Sequence, residues 1–138
     1  MTKAEKQKQL VKLAKENLGK PYKYGAKPEE TPKIFDCSSF VQYLYKQINI
    51  DLPRSSIHQV VKGKKINKGD KLEIGDLIFT KGETPHRNLR FPNGIGHVVI
   101  YIGDDRVICA KFKYGKVIEE PLRNYVDNND FRIIKRIL

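Results

Sequence analysis

The chain has 138 residues, and 27 Lys and Arg against 16 Asp and Glu give a formal net charge of +11. Hydrophobic residues make up 39% of the sequence, which is enough for a core, so the composition excludes a disordered chain, and the length leaves little room for a second domain. No apolar run approaches the roughly 20 residues of a membrane span. No apolar stretch follows the basic start, so we expect neither a transmembrane segment nor a signal peptide.

The positive charge is compatible with three kinds of surface: one that binds nucleic acid, one that binds anionic envelope polymers, and a solvated lysine-rich surface. The lysines are scattered through every segment of the chain, which favours the solvated surface. We identify no recognition helix and no aromatic platform, and we therefore expect no nucleic-acid partner.

The N-terminal segment has the pattern of a helix. Thr2 and Glu5 have the spacing of a capping box, in which each side chain bonds the backbone N–H of the other residue. Apolar residues then recur at helical spacing, and Gly19 and Pro21 follow where a helix would end. The sequence therefore predicts an amphipathic helix over residues 3–18 with a lysine-rich outer face.

A loop and two further helices are predicted next. Residues 19–36 contain two glycines and three prolines, which indicates a loop. Asp36 is a suitable N-cap, and the apolar stripe after it predicts a helix at about 37–48. A short helix is predicted over residues 55–61.

The second half of the chain has the apolar, β-rich runs of strands. We predict strands over residues 77–80, 98–102, 106–110, 116–119 and 131–137. The sequence Gly103-Asp104-Asp105 indicates a hairpin between the second and third strands, and a long polar loop precedes the second strand over residues 81–96. Helices followed by an antiparallel sheet predict one α+β domain over residues 1–138.

Two cysteines, Cys37 and Cys109, are too few for a disulfide scaffold or a four-ligand zinc site, and we expect no metal. Cys37 begins the predicted second helix, where the partial positive charge favours a thiolate, the nucleophilic form of the side chain. The alternative for Cys37 is a small buried core residue. A cysteine nucleophile needs a base, and the candidates are His97, at the start of an apolar strand, and its competitors His58 and His86.

Five short elements occur in order across residues 19–110: Pro-Tyr with a following Gly, Asp-Cys-Ser, Leu-Pro-Arg, Gly-Asp-Leu and Gly-His-Val. The ordered set resembles the NlpC-type cell-wall cysteine peptidases, which are papain-like α+β domains. The resemblance implies N-terminal helices packed on a central antiparallel sheet. It also implies hydrolysis of the amide bond between D-glutamate and a diamino acid in peptidoglycan stem peptides, without a metal or an organic cofactor.

The resemblance implies a role for each matching residue. Cys37 matches the nucleophile of the family, and His97 matches the base. Tyr22 matches an aromatic hydroxyl that lies beside the nucleophile and helps to bind or polarise the substrate. Asp36 and Ser38 match residues that flank the nucleophile and help to hold the free amine of a stem peptide. Helix capping is the alternative role for Asp36 and Ser38, and loop packing is the alternative for Tyr22.

The sequence departs from the family pattern at three places. Ser39 stands where the family usually has Gly, and the stretch AKPEETPKIF before the nucleophile is longer than usual. Cys109 occupies the third catalytic position, which is commonly a His. The hairpin should place Cys109 roughly opposite His97 on one face of the sheet. Because a thiol is a weak hydrogen-bond acceptor, Cys109 would orient the imidazole poorly, or it would form a disulfide with Cys37.

These departures leave alternatives open. The chain could be a catalytically weak or inactive relative that binds peptides or the cell wall, or another papain-like amidase or acyltransferase of the CHAP type. We expect a monomer whose partners are peptidoglycan stem peptides, with anionic cell-wall polymers as a second class that suits the charge. The sequence leaves the location open between the cytoplasm and the cell wall.

Overall fold

The computed structural model describes the whole chain, Met1–Leu138. The four α-helices are α1 (Lys3–Glu16), α2 (Cys37–Lys46), α3 (Ser56–Gln59) and α4 (Arg123–Val126), and two 3₁₀ turns cover Pro28–Glu30 and Phe112–Tyr114. The first three helices confirm the predicted ones, although each ends two residues earlier than expected. Helix α4 was not predicted because a single turn is too short to show a helical period.

The predicted capping box begins α1. The Thr2 hydroxyl accepts the backbone N–H of Glu5 at 3.1 Å, and the Glu5 carboxylate accepts the N–H of Thr2 at 2.9 Å. Leu10 and Ala14 are the buried residues of this helix, so one narrow face packs inward and the lysine-rich face is outside. None of the helices combines the length and the apolar character needed to cross a lipid bilayer.

Six strands form one antiparallel sheet. They are β1 (Lys64–Ile66), β2 (Leu77–Thr80), β3 (His97–Gly103), β4 (Arg106–Lys111), β5 (Lys116–Pro121) and β6 (Phe131–Arg136). Their order across the sheet is β1-β6-β2-β3-β4-β5. Five of them confirm the predicted strands, and the α+β class is correct. Strand β1 was missed because it has three residues, two of them exposed lysines, and no apolar alternation.

A β-bulge lies in the hairpin between β3 and β4. Gly103 pairs with Arg106 across a turn in which Asp104 and Asp105 have φ of 53° and 56°, but Tyr101 pairs with Val107. One residue of β3, Ile102, is therefore extra. Because side chains alternate along a strand, this extra residue decides which face of the sheet each residue of β4 shares with β3.

The central strands are buried on both faces. The larger core cluster lies between the sheet and helices α1 and α2, where Phe40, Val41 and Leu44 are fully buried. The smaller core cluster, on the other face, consists of Ile66, Ile78, Val99, Tyr101, Val107, Cys109, Tyr125 and Ile134. Packing α2 on the sheet brings the first turn of this helix next to the start of β3.

A buried ion pair holds the sheet at the start of β2. Both oxygens of the Asp76 carboxylate accept hydrogen bonds from the Arg136 guanidinium at 2.9 Å, and Asp76 is 1% exposed. The hydroxyl of Tyr45 in α2 donates to the carbonyl of Gly75 at 2.5 Å. Gly75 and Asp76 of the Gly-Asp-Leu element therefore connect the start of β2 to α2 and to β6. These contacts fix the position of α2, which carries the site residues, relative to the sheet.

Candidate active site

One cleft of about 680 Å³ opens between the first turn of α2, the start of β3 and the loop over residues 81–96. Five of the six predicted site residues line it: Tyr22, Asp36, Cys37, Ser38 and His97. The sixth, Cys109, does not. Among the described residues no group of three His, Cys, Asp or Glu side chains is arranged to hold a metal ion.

Cys37 is the first residue of α2, and its sulfur lies 3.9 Å from the carbonyl oxygen of Gly96, the residue before His97. Burial raises the pKa of the thiol to about 12, and the charge of Asp36 adds to the rise. Burial therefore opposes the thiolate that the helix N-terminus favours, and the thiolate stays a prediction. Cys37 and Cys109 are both free thiols, so the structure contains no disulfide between them.

Asp36 is the N-cap of α2. Its carboxylate accepts the backbone N–H of Ser39 at 2.8 Å, and the hydroxyl of Ser39 accepts the N–H of Asp36 at 2.9 Å. Ser39 therefore completes a capping box, which a glycine at this position could not form. The capping alternative for Asp36 is confirmed, and the departure from the family pattern at Ser39 has a local structural reason.

The Asp36 carboxylate also binds Arg54, which the sequence analysis did not select. The Arg54 guanidinium donates to both carboxylate oxygens, at 3.1 and 2.7 Å, and to the hydroxyl of Ser38 at 2.9 Å. The backbone N–H of Gly25 donates to the same carboxylate at 3.0 Å. The signal for Arg54 was present, since it is the Arg of the Leu-Pro-Arg element. Because Ser38 also donates to Asp36, it belongs to this bonded group and not to a helix cap.

His97 begins β3 and is partly buried at the wall of the cleft. Its Nε2 atom is buried and has no hydrogen-bond partner. Burial lowers the pKa of His97 to about 4, and the charge of Lys111 adds to the effect. The imidazole is therefore neutral at neutral pH. Of the two ring nitrogens only Nε2 is enclosed without a partner, which leaves Nδ1 for chemistry in the cleft.

Cys109 lies on the same face of the sheet as His97, as expected, but not opposite it. The register pairs Ile100 with Ile108, and continuing it toward the start of β3 places Cys109 across from Val99 and Lys111 across from His97. The Cys109 sulfur lies 3.4 Å from the hydroxyl of Tyr125. No hydrogen bond joins Cys109 to Nε2 of His97, and the weak orienting role of Cys109 stays a prediction.

Tyr22 is half-buried at the cleft wall. Its ring packs edge-on against Phe112 with centroids 5.9 Å apart, so packing and access to the cleft coexist. Burial raises the pKa of Tyr22, and the negative charge that Cys37 carries when ionised adds to the rise. The hydroxyl therefore stays protonated and can donate a hydrogen bond.

The two competing histidines are both exposed. His86 lines the cleft from the loop, with Nε2 3.5 Å from the hydroxyl of Tyr24. His58 does not line the cleft, and its Nδ1 lies 2.8 Å from the hydroxyl of Ser55. The Cys37 sulfur contacts the carbonyl of Gly96, and His97 is the next residue in the chain. Of the three histidines, His97 is therefore the one whose backbone is adjacent to a contact of the nucleophile.

The loop over residues 81–96 folds back on itself and forms one wall of the cleft. His86 and Ile95 exchange backbone hydrogen bonds of 2.9 Å. A Cβ atom on Gly96 would lie 2.5 Å from the carbonyl oxygen of Lys81. The close approach of the two ends of the loop therefore requires glycine at this position.

The fold is an α+β domain in which a helix packed on an antiparallel sheet brings a thiol and an imidazole to one cleft. The family model described as the NlpC/P60 family matches residues 19–136, and the chain belongs to this family. A probable endopeptidase p60 of Listeria grayi is 37% identical over 102 residues, which are 74% of this chain and 17% of the relative. A gamma-DL-glutamyl hydrolase of Bacillus subtilis is 36% identical over 110 residues, which are 79% of this chain and 24% of the relative.

A solved NlpC/P60 family protein of Bacillus cereus superposes with a TM-score of 0.78 at 29% identity. The superposition covers 96% of this chain and 40% of that protein. The chain thus spans about a sixth to a quarter of the length of the two curated relatives described above.

Proposed function

We propose that this chain is a cysteine peptidase that hydrolyses the amide bond between D-glutamate and a diamino acid in peptidoglycan stem peptides. The observation that carries the proposal is the shared cleft, in which Cys37, His97 and Tyr22 converge. The names of the relatives support it, since they include endopeptidases and a gamma-DL-glutamyl hydrolase.

In the proposed reaction the resting thiol and imidazole are both neutral. Nδ1 of His97 takes the proton as Cys37 attacks the substrate carbonyl, and the imidazolium then gives it to the departing amine. Water hydrolyses the acyl-enzyme with His97 as base. Because the pKa of the Cys37 thiol is raised, the thiol is protonated before substrate binds. The free energy of transferring its proton to His97 therefore adds to the activation barrier of each turnover.

Two donors are available for the oxyanion of the tetrahedral intermediate. Cys37 is the first residue of α2, so its backbone N–H has no acceptor within the helix. The protonated hydroxyl of Tyr22 is the second donor. Donors fixed before the reaction stabilise the charge that develops on the oxygen.

Asp36, Ser38 and Arg54 form the wall beside the nucleophile. The five hydrogen bonds of the Asp36 carboxylate fix this wall in place. In the proposal Asp36 and Ser38 meet the free amine of the stem peptide, which requires the amine to share acceptor oxygens with Arg54. This role of Asp36 and Ser38 stays a prediction.

Purified muropeptides incubated with the protein test the proposal. Wild type should release a D-glutamyl product and a diamino acid product, identified by mass spectrometry, and Cys37→Ala should release neither. Cys109→Ala is the matched control, because it removes the other buried thiol, which lies outside the cleft, and should still cleave. Equal product from wild type and Cys37→Ala would refute the proposal. Cleavage at a different amide bond would instead indicate a CHAP-like amidase.

A second candidate is a weak or inactive relative that binds stem peptides. The unpartnered Nε2 of His97 and the raised pKa of Cys37 favour it. Calorimetric binding of the same muropeptides to wild type, without turnover, would establish this candidate. Alkylation of Cys37 no faster than that of free cysteine, both without and with bound peptide, would support it further.

A further inference from the structure

The enclosed side of His97 lacks a hydrogen bond. Nε2 has no partner, and Cys109 directs its sulfur to the hydroxyl of Tyr125 instead. An imidazole that acts as a base needs a fixed ring orientation, which a hydrogen bond to the far nitrogen usually provides. In this chain no hydrogen bond to Nε2 provides that orientation.

The ring of Tyr125 is packed against the imidazole. The two ring centroids lie 5.8 Å apart with 28° between the planes, which is a stacked arrangement. Tyr125 is 4% exposed and is part of the smaller core cluster. A buried ring at this distance restricts rotation of the imidazole about its side-chain bonds and keeps water from the enclosed nitrogen.

The hydroxyl of Tyr125 is itself held by two charged side chains. It accepts a hydrogen bond from the Lys111 ammonium at 2.9 Å and donates one to the Glu120 carboxylate. The Lys111 ammonium also lies 3.2 Å from Glu120 and 4.7 Å from the centre of the Tyr125 ring. Lys111, Glu120 and Tyr125, hereafter the tyrosine cluster, are thus charge-balanced, and they fix the phenol ring at its polar end.

The position of Lys111 adds an electrostatic effect. Lys111 lines the same cleft as His97, and the register of β3 and β4, continued toward the start of β3, places it across from His97. Its charge lowers the pKa of His97, in the same direction as burial does. Within the tyrosine cluster, the charge of Lys111 therefore disfavours protonation of the imidazole before substrate arrives.

We propose that Tyr125 is the positioning residue of His97: its ring, anchored through Lys111 and Glu120, holds the imidazole by stacking and replaces the hydrogen-bonding third residue of the site. This inference rests on the proposed function, because it concerns the base that serves Cys37. The residue that orients His97 would then lie on α4, the single turn between β5 and β6, and not on β4, the strand that carries Cys109.

The test compares Tyr125→Leu, which removes the ring, with Tyr125→Phe, which keeps it. We expect Tyr125→Leu to lower kcat on muropeptides by about 10²-fold, the usual effect of a misplaced catalytic group, with KM within about twofold. The pKa of His97, followed by NMR of the imidazole, should rise from about 4 toward its ordinary value as water enters. Tyr125→Phe should lower kcat by no more than about tenfold, because the stacked ring remains.

Tyr101→Leu is the matched control. Tyr101 is a second buried tyrosine of the smaller core cluster, and its hydroxyl bonds the backbone of the hairpin turn, not the cleft. Loss of the Tyr101 ring should lower the free energy of unfolding, while kcat and the pKa of His97 should keep their wild-type values. A role of Tyr125 in stability alone would make Tyr125→Leu behave like Tyr101→Leu.

The proposal is overturned if folded Tyr125→Leu has the kcat and the His97 pKa of wild type. If Tyr125→Leu does not fold, Tyr125→Met takes its place; failure of both to fold while Tyr101→Leu folds would assign the ring to core stability and also overturn it. The imidazole measurement needs no turnover. Absence of any Cys37-dependent cleavage would therefore remove the proposed function while the His97 shift still decided the role of Tyr125.

Discussion

The neutral imidazole of His97 should make the stability of the protein depend on pH in a defined way. Its pKa is about 4 in the folded chain and near 6.5 in the unfolded chain. Above pH 6.5 both states are neutral and the stability is complete. As pH falls toward 4, the unfolded chain binds a proton that the folded chain does not, so stability is lost. At 1.36 kcal/mol per pKa unit the loss reached at pH 4 is about 3 kcal/mol.

Urea unfolding at pH 7.5 and pH 4.0 measures this loss. Carboxylates also titrate in this range, so wild type must be compared with His97→Gln, which has a similar shape and no titrating ring. Wild type should lose about 3 kcal/mol more than His97→Gln between the two values. Both proteins keep the exposed His58 and His86, so the difference reports His97. If wild type and His97→Gln lose equal free energies of unfolding, within about 0.5 kcal/mol, burial does not lower the pKa of the His97 imidazole in the folded chain.

Arg54→Met leaves the buried Asp36 carboxylate without its guanidinium, so the free energy of unfolding should fall by about 3 kcal/mol or more. Arg54→Lys should cost less because it keeps the positive charge, and equal costs in urea titrations would show that this charge does not stabilise the carboxylate. Gly96→Ala should lower both the melting temperature and kcat, because a backbone carbonyl lies 2.5 Å from the new Cβ. Gly69→Ala, with no atom within 4 Å, is its control and should be neutral in both measurements. The acidic limb of kcat/KM should lie near pH 4, since the base is His97; a limb at pH 6.5 would show that a solvated histidine acts instead.

The parts of the site that depend on local sequence could be predicted. Asp36 and Cys37 stand at a helix start that capping preference and an apolar stripe define within a few residues. His97 opens a β-branched run whose strand was unambiguous. These signals do not depend on how distant segments meet, and the structure places all three residues at one cleft.

The surroundings of His97 could not be predicted, because they depend on strand register and on a single turn of helix. Without the bulge in β3, the hairpin would pair Cys109 with Ile100 and place it on the opposite face from His97. The sequence around Ile102 contains no signal that predicts the extra residue. Tyr125 lies in a four-residue helix, and only the folded chain brings it onto the imidazole.

The capped start of α2 has a consequence for the chemical durability of the site. The carboxylate of Asp36 already occupies the electropositive end of the helix, and Cys37 is 8% exposed. Peroxide and other oxidants attack the thiolate and spare the thiol. Because burial raises the pKa of the Cys37 thiol, we expect peroxide to oxidise Cys37 more slowly than an exposed cysteine while no substrate is bound, a rate that mass spectrometry of the intact protein measures.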